Sequence, residues 1–119
     1  MSTIEEKARR LLPLTEATFC ILAALSAPRH GYGVMQRVEE ASHGAIRLGP
    51  GTLYGALTNL LRQSLIARPG EAKVAGERRK LYVLTDLGRA VVAAERRRLV
   101  ELVDVSRELL AVGGGVDGQ

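Results

Sequence analysis

Gly49-Pro50-Gly51-Thr52-Leu53-Tyr54-Gly55-Ala56-Leu57-Thr58-Asn59-Leu60-Leu61-Arg62 decides how this chain is read. Two glycines and a proline break the segment before it. Leu53, Leu57, Leu60 and Leu61 then recur at i, i+4, i+7 and i+8, which is the spacing of one apolar stripe on a helix. The other side carries Thr52, Tyr54, Gly55, Thr58, Asn59 and Arg62, which are hydrogen-bonding groups and one cation without a carboxylate. Such a surface suits phosphates and base edges, so the segment reads as a recognition helix.

Composition narrows the partners. The 119 residues make one domain, and a hydrophobic share of 46% can bury a modest core with no room for a second. The formal charge of +4 favours a polyanion, and its distribution says more: Arg47 to Arg98 holds eleven basic residues against four acidic ones. Cys20 is the only cysteine, which excludes an intramolecular disulfide and a stapled secreted scaffold. Met1 to Leu12 alternates charged with apolar residues and lacks the apolar core of a signal peptide. No apolar run reaches membrane-spanning length, so a cytoplasmic location is expected.

Upstream of the opening stretch, residues 1–12 read as an N-terminal arm or short helix. Thr15 N-caps a helix to Ala27 that is apolar almost all round from Ala17 to Leu25. A helix with so little polar face is covered on more than one side, and a second protomer is the expected cover, through Phe19 and Leu22. Pro28-Arg29-His30-Gly31 breaks it. Tyr32 to Ser42 supplies a second helix with Tyr32, Val34, Met35 and Val38 inward, and Ile46-Arg47-Leu48 reads as a short extended piece.

Downstream, Leu65 to Arg68 and Lys80 to Leu84 read as short strands, with the polar, glycine-bounded run Pro69 to Glu77 as a loop at a hairpin tip. Helix, helix, short strand, helix, strand, strand is the order of a winged helix-turn-helix, assigned to residues 13–85. The fold class is mainly α with a small β-hairpin, the wing. Thr85 N-caps a last helix that runs to about Ala111, roughly 40 Å at about 1.5 Å per residue. Val92, Leu99, Leu102 and Leu109 form a heptad seam, widened by Val103 and Leu110 and interrupted by Glu95 and Ser106. So small a domain cannot cover so long a stripe, so residues 86–111 read as a dimerisation helix. Residues 112–119 read as a flexible tail whose glycines have no phosphate-loop context.

With those residues in place, the chain resembles the PadR family of transcriptional regulators. The resemblance rests on Leu22-Ala23-Ala24-Leu25 followed by His30-Gly31-Tyr32-Gly33, on Gly49 to Leu57, on Leu65-Ile66 and on Arg78-Arg79-Lys80-Leu81-Tyr82-Val83-Leu84-Thr85. It covers roughly Leu14 to Gly88. It implies a dimeric winged-helix DNA-binding protein, usually a repressor, whose first and last helices build the dimer. Leu81 departs from the family, which often has an aromatic residue there. The short C-terminal segment is similar to that of the smaller subgroup, which lacks an additional helical domain. For some members the resemblance implies release by phenolic acids or lipophilic drugs, bound between the dimer-forming helices. With three Tyr, one Phe and no Trp, this chain offers few rings for stacking such an effector.

Each candidate contact has a chemical role. Thr52 lies where free backbone amides and the helix dipole attract an anion, and Tyr54 can donate to a phosphate. A nucleotide P-loop is excluded because no Lys follows the glycines. Thr58, Asn59 and Arg62 reach further along a groove, Asn pairing with adenine and Arg with guanine or phosphate. Arg78, Arg79 and Lys80 on the returning wing strand supply phosphate or minor-groove contacts. Arg96-Arg97-Arg98 fans around its helix and reads as solubility and ion pairs to Glu95 or Glu101. His30 reads as structural hydrogen bonding, Cys20 as core, and Tyr32 as packed beneath its helix.

Paired acids, an activated nucleophile and a metal set are all missing, so neither catalysis nor a cofactor or metal is expected. The expected function is a sequence-specific DNA-binding transcriptional regulator, a repressor acting as a homodimer on a pseudo-palindromic operator. A module docking a protein partner is the competing reading.

Overall fold

Local capping sets the helix boundaries in the computed structural model, which describes residues 3 to 117, with side-chain surroundings as far as Ala111. Thr3 Oγ1 accepts from the Glu6 amide at 3.1 Å and the Glu6 carboxylate accepts from the Thr3 amide, a capping box that starts α1 (Ile4–Arg10). Thr15 accepts from the Thr18 amide at the head of α2 (Glu16–Ala24). At the head of α3 (Gly31–Ala41), His30 Nδ1 accepts from the Gly33 amide at 3.1 Å, the hydrogen-bonding role expected of it. Pro50 opens α4 (Pro50–Arg62), where a missing N–H costs nothing. Thr85 Oγ1 accepts from the Gly88 amide at the start of α5 (Asp86–Asp117), as its sequence predicts.

The strands correct the sequence reading in three places. The extended piece expected at Ile46–Leu48 joins no sheet. Arg29–His30, read as a mere break, forms β1 instead. Two residues between Pro28 and Gly31 are too few to show any periodicity, and their partner lies about fifty residues downstream. Part of the expected wing-tip loop is also a strand. After β2 (Ile66–Ala67) comes β3 (Glu71–Val74), joined to β4 (Glu77–Leu84) through Ala75 and Gly76. Both turn residues have positive φ, +54° and +82°, which matches the right-handed twist of a two-residue hairpin. Glu, Ala and Lys are poor strand formers, so this turn and the pairing override β3's own propensity.

All three short strands pair antiparallel with β4. Its first half takes β3, from Val74 opposite Glu77 to Glu71 opposite Lys80. Its second half takes β1, with Arg29 opposite Tyr82, and β2, with Ile66 opposite Leu84.

The core gathers Ile21, Leu22 and Leu25 from α2 and its end, Val34 and Val38 from α3, and Leu53, Leu57 and Leu60 from α4. Leu65, Ile66, Tyr82 and Leu84 close it from the sheet side, and Val91 of α5 is fully buried. Leu22 is therefore part of the chain's own core and not the outward dimer contact expected of it. Tyr32 is also corrected: it is exposed, because Gly31, Val34 and Val38 are the residues of α3 that turn inward. Ala8 of α1 is buried, and α1 packs along α5, giving the N-terminal segment a fixed place. Gly88 makes the turn into α5 possible, since a β-carbon there would collide with the Leu65 carbonyl oxygen. The backbone of α5 is helical beyond Ala111 to Asp117, about 48 Å in all. Residues 118–119 of the expected tail lie outside the described residues. No helix among the described residues is long and apolar enough to cross a membrane.

Candidate nucleic-acid interface

The leucine stripe of α4 fixes which side of that helix faces out. With Leu53, Leu57 and Leu60 buried, Thr52, Tyr54, Gly55, Thr58, Asn59 and Arg62 are all exposed, and this outer face carries no carboxylate. At its N-terminus no side chain caps the helix. Pro50 has no N–H, and Leu53 donates to the Gly49 carbonyl, so the Gly51 and Thr52 amides begin the helix without an intrahelical acceptor. Thr52 itself is in the first turn and makes no cap.

Two pairs on this face are organised in advance. Thr58 Oγ1 donates to the Tyr54 carbonyl at 2.9 Å, leaving its oxygen to accept. Arg62 Nη1 donates to Asn59 Oδ1 at 2.7 Å, which aligns the amide and the guanidinium and leaves the Asn59 amino group free to donate. Individually these residues were legible in the sequence. Their pairing was not, although i, i+4 spacing for Tyr54 and Thr58 and i, i+3 spacing for Asn59 and Arg62 are the signals that carry it.

The wing supplies the cations. Arg78 and Lys80 are exposed on β4, while Arg79 alternates to the other side and is half-buried. Arg78 approaches Glu71 across the hairpin at 3.4 Å. Arg79 approaches Glu77 only to 3.7 Å, and its Nε is buried without a hydrogen-bond partner. Lys80 makes no ion pair among the described residues.

Tyr54 joins the two elements. Its ring leans over the start of α3, and a β-carbon on Gly31 would stand 2.6 Å from the hydroxyl. Tyr54, His30, Gly31 and Tyr82 line one small cleft with Arg78, Arg79 and Lys80. His30 was read from sequence as structural hydrogen bonding and Gly31 as part of a break, and nothing in their local pattern announces a place beside the wing. Of the recognition-helix residues expected to bind DNA, Tyr54 thus meets the wing residues, whereas Asn59 borders a separate cleft with Pro13, Leu14, Thr15 and Thr18.

A second surface lies on α5. Val92 and Leu99 are half-buried, whereas Leu102, Val103, Leu109 and Leu110 are exposed, together with Val100 and Val105, which the heptad reading left out. Phe19 of α2 is half-buried. Glu95, read as an interruption of the seam, is buried: it accepts from the Leu14 amide and is ion-paired to Arg98. Arg98 thereby takes the ion-pair role expected of the arginine run. Cys20 is half-buried, and burial pushes its thiol above the usual range, as for a core residue. His43 is exposed in a turn, and among the described residues no three His, Cys, Asp or Glu are placed to hold a metal.

Residues 21–94 match the model of the transcriptional regulator PadR-like family. An uncharacterized 37.1 kDa protein from a transposon of Streptomyces fradiae is 40% identical over 74 residues, which is 61% of this chain. The match spans 20% of that relative's length. Among solved structures, a PadR family transcriptional regulator from Eggerthella lenta is 28% identical with a TM-score of 0.66, covering 88% of this chain and 86% of that one. A PadR-like transcription factor from Bacteroides fragilis is 25% identical at a TM-score of 0.65, covering 78% and 88%. A PadR family regulator from Clostridium difficile, 24% identical, shares the fold at a TM-score of 0.69 over 81% of this chain and 99% of its own.

Proposed function

The chain belongs to the PadR-like family of transcriptional regulators, and from that premise we propose that it represses transcription as a homodimer bound to a pseudo-palindromic DNA operator. The observation that carries this reading is the exposed, carboxylate-free face of α4 beside the basic strand of the wing. Two such faces, brought about 34 to 36 Å apart by pairing of the α5 helices, enter successive major grooves. The unpartnered apolar residues of distal α5 support the second copy.

Thr52, Tyr54 and the first amides of α4 hold the helix on the phosphates. Thr58, Asn59 and Arg62 lie further along, toward base edges, and Arg78, Arg79 and Lys80 neutralise the flanking backbone. For a lipophilic effector, the cleft of about 360 Å³ between α2 and α3 offers Cys20, Ala23, Ala24, Val38, Ala41 and Ile46 as apolar walls, with Arg37 and Ser42 as its polar lining.

A gel shift on duplexes from upstream of the chain's own gene tests the proposal. Binding selective over scrambled duplexes and falling steeply with salt supports it. Equal, weak binding to all sequences, or a salt-insensitive complex with a protein instead, refutes it.

A further inference from the structure

We infer that the cleft between the head of α2 and the far end of α4 binds an uncharged, hydroxyl-rich small molecule of the saccharide or polyol class, and that its occupant opposes operator binding. The opposition rests on the DNA-binding function above, whereas occupancy of the cleft does not.

The cleft is about 420 Å³, within the roughly 300–1,000 Å³ of small-molecule sites. Its lining includes the buried Leu60 and Leu65, and its polar side chains are Thr15, Thr18, Asn59 and Gln63. These are two hydroxyls and two carboxamides, each of which both donates and accepts, as sugar hydroxyls do. No ionisable side chain and no aromatic ring lines it among the described residues. The α2–α3 cleft, by contrast, holds Arg37, and the wing cleft holds Arg78, Arg79 and Lys80. A charged ligand would lose water here without gaining a countercharge, and a flat aromatic one would find no ring to stack on. A hydroxylated aliphatic ring suits both surfaces, with its C–H groups on the leucines and its hydroxyls on the polar side chains.

Three of the four polar side chains keep unused donors. Thr15 Oγ1 donates to Thr18 Oγ1 at 2.9 Å, which leaves the Thr18 hydroxyl proton free. Asn59 Oδ1 accepts from Arg62 at 2.7 Å, which leaves the Asn59 amino group. Gln63, exposed at the C-cap of α4, has a carboxamide that makes no hydrogen bond among the described residues.

Position couples the cleft to DNA. Asn59 belongs both to this cleft and to the exposed face of α4. The opposite wall begins at Leu14, whose amide is held by Glu95 of α5. An occupant bonded to Thr18 and Asn59 therefore draws the Asn59 amide toward an anchored wall, away from Arg62 and from a base edge. Ligand and operator then weaken each other's binding by the same factor.

Calorimetric titration of the full-length chain, without DNA, tests occupancy with glucose, galactose, ribose, myo-inositol and glycerol, beside glucose 6-phosphate and benzoate as charged controls. At least one uncharged compound should bind with a Kd of about 1 mM or tighter, and neither control should. Gln63→Ala and Thr18→Val should each weaken that binding about 3- to 10-fold while leaving operator affinity unchanged. In a gel shift, saturating sugar should weaken operator binding of the parent chain about 5- to 100-fold. Both variants should need correspondingly more sugar for the same effect.

Binding by none of the five, equal binding of glucose 6-phosphate, or binding indifferent to both substitutions would each overturn the site. Sugar that binds there and leaves operator affinity unchanged would overturn the opposition. A chain that binds sugar in the cleft but shifts no duplex upholds the site and refutes the DNA-binding reading, and the opposition with it.

Discussion

The buried Glu95 carboxylate accepts a hydrogen bond from the Leu14 backbone amide at 2.7 Å, tying the entry to α2 to a point 81 residues downstream on α5. Arg98 donates to the same carboxylate through Nε and Nη2. A charge placed among apolar neighbours thus holds the junction of the N-terminal segment and the long helix.

The arrangement makes stability depend on pH with a definite sign. The Arg98 hydrogen bond holds the Glu95 carboxyl below its ordinary value, the Leu14 amide adds to this, and burial opposes it. The folded chain therefore binds that proton less readily than the unfolded one. The contribution is complete above the unfolded value of about 4.3 and fades as pH falls through the lower folded value. Glu95→Gln should cost about 2 kcal/mol near neutrality, read as a lower urea midpoint. The gap to the parent chain should narrow below about pH 4, and a gap unchanged down to pH 3 would show that the charge is not what the fold uses.

Gly88→Ala should destabilise by about 2–3 kcal/mol, because the new methyl must displace the Leu65 carbonyl or the start of α5. Thr85 and Leu65 are hydrogen-bonded at this corner, so the wing root moves with it. Chemical denaturation measures the loss; a variant as stable as the parent would mean that the corner relaxes freely.

Gly55→Ala separates folding from binding. A β-carbon at Gly55 meets nothing within 4 Å, and glycine inside a helix costs about 0.5–1 kcal/mol relative to alanine. The substitution should raise the unfolding midpoint by that amount and weaken operator binding, since the added methyl stands between α4 and the DNA. Higher stability with unchanged affinity would place the DNA further from this turn.

Legibility in the sequence follows the range of the interaction. The α4 stripe, the Thr15 and Thr85 caps and the hairpin ends are local, so spacing and residue type reveal them. β1 owes its existence to Leu81 and Tyr82, and β3 to a two-residue turn, so neither shows in its own residues. Leu22 looked like an interface residue because a helix apolar all round does not say what covers each side. Here Leu22 is covered by the chain's own core. Glu95 looked like a fault in the seam for the same reason: its partners are one turn along α5 and 81 residues away. The outward side chains of α4 and the wing were readable one by one, whereas the Tyr54–Gly31 approach that joins them is tertiary.

The last helix provides the test of assembly. Leu102, Val103, Leu109 and Leu110 are between 49% and 75% exposed, so changing them removes little packing within one chain. Leu102→Glu with Leu109→Glu should therefore leave helicity and the unfolding midpoint of the globular part nearly unchanged. It should convert a dimer to a monomer in sedimentation experiments at micromolar concentration, because two carboxylates per chain would have to be buried unpaired in the pair. Operator affinity should fall by about 10²- to 10⁴-fold, the loss expected when two half-sites no longer share one binding event. A parent chain that sediments as a monomer, or a doubly substituted chain that remains dimeric, would remove α5 as the dimer contact. A substituted monomer with full operator affinity would show that a single α4 and its wing suffice.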